Sequence, residues 1–140
     1  MSRSGYTEDC ESINLYRNSV HRALTGKRGQ AFLRELRDAL DAMPEKRLIT
    51  GALVSEALPH PHTEPGCCAM GAVALARGVD TSKLDPEDRD MIAAAFGIAP
   101  SMAAEIAYEN DEADYYWRTP LTPEARWEHM RKWVEENLRP

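Results

Sequence analysis

The chain has little of what most specialised protein classes require. Only three of its 140 residues are cysteine, and two of these, Cys67 and Cys68, are adjacent, a spacing whose bridge would be a strained ring rather than a fold staple. That excludes a disulfide scaffold and fits a reducing compartment. Apolar runs are short: stretches such as Leu48–Ser55 and Cys67–Ala76 fall well below the ~20 residues that span a bilayer, so no transmembrane helix is predicted. Met1 to Asp9 has no apolar core, and neither a signal peptide nor a membrane anchor is expected. Catalytic signatures are missing as well. No G-x-S-x-G, H-E-x-x-H or GxxxxGK[ST] pattern occurs, and no carboxylate pair stands inside an apolar stretch. The expectation is a cytoplasmic protein that is not an enzyme and needs no cofactor.

What is present is the composition of one soluble globular domain, residues 1–140, with 43% hydrophobic and 29% charged side chains. A chain of this length buries roughly two thirds of the surface that its unfolded form exposes, so it folds without metal or disulfide. The net charge of −6 conceals two ends of opposite sign. Between Arg17 and Arg37 six basic groups stand against Glu35 alone, while between Asp80 and Asp114 ten acids face only Lys83 and Arg89. Such polarity suits a protein partner more than duplex DNA.

The pattern predicts an all-α bundle of about six helices, with one short β-hairpin near 46–56. Ile13, Tyr16, Val20 and Leu24 recur at helical spacing, Gly26–Gly29 breaks the run, and Phe32, Leu33, Leu36, Leu40 and Met43 mark a second amphipathic helix ending before Pro44. The aliphatic cluster around Thr50-Gly51 gives the hairpin. Residues 59–66 hold three prolines and read as a loop. Cys67–Arg77, rich in Ala and Gly, reads as a central helix that lets a neighbour approach its backbone closely. Asp85-Pro86 is a helix start and Gly97 a stop, a further helix runs from Pro100 to Asn110, and Thr122-Pro123 opens the last one. Trp127, Met130, Val134 and Leu138 supply its apolar stripe, with Trp133 alongside.

Four clusters are candidate sites. Tyr108, Asp111, Glu112, Asp114, Tyr115, Tyr116 and Trp117 form an acidic aromatic patch of the kind enriched at protein contacts, and this is the favoured partner-binding surface. Gly26–Gln30, with Lys27, Arg28 and Gly29 before a helix and Arg17 and His21 within one to two turns, is a crude phosphate cradle and the alternative reading. His60, His62, Cys67 and Cys68 carry metal-binding chemistry, but adjacent cysteines rarely aim both sulfurs at one ion, so no metal site is assigned. Ile92–Ile106 has the outline of a DNA-binding helix-turn-helix, yet its second helix offers no Lys or Arg to phosphate and reads as an αα-corner.

Several segments together, Gly26–Leu36, Pro44–Ile49, Cys68–Val73, Phe96–Ala99 and Tyr108–Glu112, resemble a family of uncharacterised accessory proteins of tailed bacteriophages and prophages. The likeness covers most of the chain, and the proline- and histidine-rich stretch Ala57–Gly66 departs from it. The resemblance carries over no catalytic or binding residue. It implies a small protein made in a bacterial host during infection or lysogeny that acts by binding a host or phage protein, inhibiting a defence or nucleic-acid-handling complex. A binder of nucleotides or other phosphorylated small molecules, acting as a sponge in oligomeric copies, is the alternative.

Overall fold

A computed structural model describes residues 3–4, 13–55, 65–112 and 121–140 of the chain. Six α-helices, α1 (Ile13–Thr25), α2 (Lys27–Ala42), α3 (Ala69–Arg77), α4 (Arg89–Phe96), α5 (Pro100–Asp111) and α6 (Pro123–Asn137), account for most of these residues. The two strands are β1 (Val54–Ser55) and β2 (Gly66–Cys67). The mainly α architecture agrees with the sequence pattern, including the close of α4 at Gly97, which adopts φ 74°. α6 likewise opens where expected, with Thr122 Oγ1 accepting from the Ala125 N–H at 3.1 Å.

Four local details differ from expectation. The break between α1 and α2 is Gly26 alone, because Lys27 and Arg28 already belong to α2 and Gly29 packs inside it. A Cβ at Gly29 would stand 1.8 Å from the Ala23 carbonyl oxygen, so glycine is required for the crossing of two helices rather than for a turn. The β-pairing is antiparallel but joins Val54 to Cys67 and Ser55 to Gly66, so the partner strand lies beyond 46–56 and Thr50-Gly51 is not a hairpin turn. Finally, α4 starts at Arg89, not next to Asp85. Asp88 caps it by accepting from the Met91 N–H, while Asp85 accepts from the Glu87 N–H in a separate turn.

The core lies where α3 and α5 pass through the middle of the bundle. Leu33, Leu36, Leu40, Leu48, Val73, Met102, Ile106, Met130 and Val134 are fully enclosed. Phe32 and Phe96 meet edge to face at 6.2 Å. Gly71 of α3 has the close approach that its small-residue composition predicted: a Cβ there would lie 1.8 Å from the carbonyl oxygen of Leu53. On α6 the buried stripe is Met130, Trp133 and Val134. Trp127 is only half-buried, its indole Nε1 donating to the Leu40 carbonyl at 3.1 Å.

Candidate functional site

A buried polar cluster lies at the C-terminal end of α5. Asn110, 1% exposed, is its hub. Its Oδ1 accepts from the Ala69 N–H at 3.0 Å, satisfying one of the free amides at the start of α3, and its Nδ2 donates to the Ile49 carbonyl at 2.9 Å. The Asn110 carbonyl in turn accepts from Nη1 of buried Arg126. A second Nδ2 hydrogen bond, to Asp111 Oδ1 at 2.8 Å, holds the neighbouring carboxylate in place.

That carboxylate receives the guanidinium of Arg3. Nε and Nη2 donate to its two oxygens, each at 2.6 Å, in a bidentate pair spanning 108 positions. Arg3 Nη1 also points at the sulfur of Cys68, 3.7 Å away. Beside it, buried Ser4 donates through Oγ to Glu112 Oε2 at 2.6 Å, and Arg89 Nη1 donates to the Ser4 carbonyl at 3.4 Å. Burial alone would lower the Arg3 pKa, but the Cys68 sulfur and the Asp111 carboxylate outweigh it, and the net shift is upward. Arg3 therefore remains a cation in this enclosed position.

Cys68 caps α3, its Sγ accepting from the Gly71 N–H at 3.4 Å. Its neighbour Cys67 is pushed up to about 11, first by burial and then by Cys68, so that thiol is neutral at physiological pH. Both are free thiols. Between α5 and α6, Glu109 Oε2 lies 2.7 Å from His129 Nε2.

Of the predicted partner-binding patch, Tyr108, Asp111 and Glu112 share one turn at the end of α5, where the Tyr108 carbonyl accepts from the Glu112 N–H at 2.7 Å. Asp114, Tyr115, Tyr116 and Trp117 lie outside the described residues. The two described acids are not a bare solvated face, since the Arg3–Ser4 segment occupies both. No sequence signal pointed to Arg3, Ser4 or Asn110, because their partners are far along the chain. The acids further upstream have local tasks, with Asp80, Asp85 and Asp88 each accepting from a backbone N–H two or three residues ahead.

Of the predicted phosphate-binding set, Arg17, His21, Lys27 and Arg28 are exposed; Lys27 and Arg28 open α2 directly after Gly26, His21 lies in the last turns of α1, and Arg17 lies further back along α1. Gly29 is a correction: it is buried against Ala23 and closes off the cradle on that side. His60 and His62 lie outside the described residues, and among the described residues no three His, Cys, Asp or Glu side chains gather in a metal-binding group. α4 and α5 meet at 107°, and no α5 residue after Pro100 is fully exposed.

No protein-family model, no curated protein and no solved structure matches the chain. The functional reading therefore starts from its own side chains.

Proposed function

We propose that the chain is a non-enzymatic accessory protein that binds a basic, arginine-bearing segment of another protein at the acidic end of α5. The observation that supports this reading is the Asp111–Glu112 pair, which holds a guanidinium in bidentate fashion and a serine hydroxyl beside it. A buried amide fixes the Asp111 carboxylate before any partner arrives, and such preorganisation favours recognition over a merely solvated acid. The resemblance to phage and prophage proteins supplies the context of this proposal: a host or phage partner in the bacterial cytoplasm, in a defence or nucleic-acid-handling complex. No described helix is long and apolar enough to cross a membrane.

The reading is tested with a labelled decapeptide carrying two Arg-Ser steps, titrated to millimolar concentration against the parent chain, Arg3→Ala and the double variant Asp111→Asn with Glu112→Gln. Binding that the double variant loses, and that salt weakens, is expected. Equal affinity of the double variant, or no binding by the parent and by Arg3→Ala alike, overturns it.

A second reading, a phosphorylated small molecule at Arg17, His21, Lys27 and Arg28, has one observation in its favour. Gly26 supplies no side-chain cap to α2 and the first turn holds no acid, so two exposed cations stand beside uncapped amides. A thermal-shift panel of mono-, di- and cyclic nucleotides decides it. A shift abolished by Lys27→Ala with Arg28→Ala is the supporting result, and a panel without shifts removes the reading.

A further inference from the structure

We infer that Arg3 and Ser4 form an internal strap that occupies the arginine-binding end of α5 and keeps it closed until a competing arginine-bearing segment displaces it. This rests on the function proposed above and adds its regulation.

The strap imitates what it excludes. Its grip is polar: a guanidinium on Asp111, a hydroxyl on Glu112, and a backbone carbonyl accepting from Arg89. Neither residue contributes an apolar side chain to the core. A guanidinium and a hydroxyl from another chain could make the same bonds to the same oxygens, so exchange leaves the contacts at the receptor nearly unchanged. What then decides occupancy is concentration. A tethered segment competes at an effective concentration on the order of millimolar, so a free peptide sees its apparent affinity reduced by the small fraction of open receptor. A natural partner must add contacts beyond the strap's two residues to win.

The receptor outlasts the strap because other residues build it. Asn110 is anchored to Ala69 and Ile49, and Arg126 fixes its carbonyl, independently of Arg3. Cys68 reports the state of the strap. The residue is 1% exposed and its sulfur lies 3.7 Å from the Arg3 guanidinium, so departure of Arg3 should open it to a small reagent.

The experiment combines two readouts in full-length chains. In a Cys10→Ser, Cys67→Ser background, alkylation of Cys68 by iodoacetamide is timed for the parent, Arg3→Ala and Arg3→Lys, and the Arg-Ser decapeptide is titrated against each. Arg3→Ala should alkylate at least tenfold faster and bind the peptide at least tenfold more tightly. Arg3→Lys, which keeps the charge without the fork, should fall between. Saturating peptide should slow alkylation of Arg3→Ala again, because its guanidinium takes the place of Arg3 beside Cys68. Far-UV circular dichroism confirms that each variant is folded, and should Arg3→Ala unfold, Arg3→Lys carries the same comparison. If Arg3→Ala or Arg3→Lys binds the peptide no better than the parent does, the strap fails while the proposed function stands. If no variant binds the peptide, the function falls, and the strap with it.

Discussion

Gln30 Nε2 donates to the carbonyl of Asn137 at 2.9 Å, so a side chain in the first turn of α2 closes the end of α6, 107 positions away. The same amide donates to the Leu24 carbonyl at 2.7 Å, and Gln30 Oε1 accepts from the Arg139 N–H at 2.8 Å. One carboxamide thereby satisfies three backbone groups at the two helix ends and the residue just past α6.

Gln30→Ala should cost about 1–3 kcal/mol, the usual penalty for stranding buried polar groups. Amide hydrogen exchange should quicken selectively at Leu138 and Arg139. Urea denaturation measures the first effect and exchange mass spectrometry the second; an unchanged midpoint would show that water replaces the carboxamide without loss.

Gly29→Ala and Gly71→Ala should each lower stability by at least about 2 kcal/mol, since the new methyl meets a backbone carbonyl that cannot turn aside. Gly78 sits at φ 72° with open space around its Cβ position, so Gly78→Asn should be tolerated far better. Ranking the three melting temperatures checks this.

Leu36→Ala empties a fully enclosed site and should cost roughly 2–5 kcal/mol. Trp127→Ala should cost less than Trp133→Ala, because Trp127 is half-exposed and Trp133 lies in the core. Reversal of that order in chemical denaturation would contradict the assigned face of α6.

Two exposed ion pairs contribute to the acid side of the stability profile. Hydrogen bonds from Arg77 hold Glu35 below the usual carboxylate range, and those from Arg131 do the same for Asp41. Because the folded values lie below the unfolded ones, this contribution is present above the unfolded pKa and is lost as pH falls through the folded one. Cys67 acts in the opposite sense: its thiol is raised from 9.0 to about 11, so its contribution is present below pH 9 and is lost as pH rises toward 11. Glu35→Gln with Asp41→Asn should flatten the acid limb of melting temperature against pH, and Cys67→Ala the alkaline limb.

The helix limits that were legible in the sequence have local causes. Gly97 stops α4 because its left-handed backbone suits a residue without Cβ, and Thr122-Pro123 starts α6 because the capping hydroxyl reaches an amide three residues on. Asp85-Pro86 carries the same local signal three residues before the real start at Arg89. Two Asp residues in that stretch can each accept a nearby N–H, and local chemistry does not choose between them. At the candidate site, Asp111 and Glu112 were readable as acids, but not as the partners of Arg3 and Ser4.

The sequence by itself determined the mainly α class, the six helices among the described residues and most of their ends, because periodicity and caps act over a few residues. Tertiary structure decided which glycines are indispensable, where β1 finds its partner, and that Arg3 closes over Asp111. Those outcomes depend on atoms brought together from different elements, from Gly29 against Ala23 and Gly71 against Leu53 to Arg3 against Asp111, 108 positions apart. A residue type states what chemistry a side chain can offer; only the fold states which other residue stands within 3 Å to receive it.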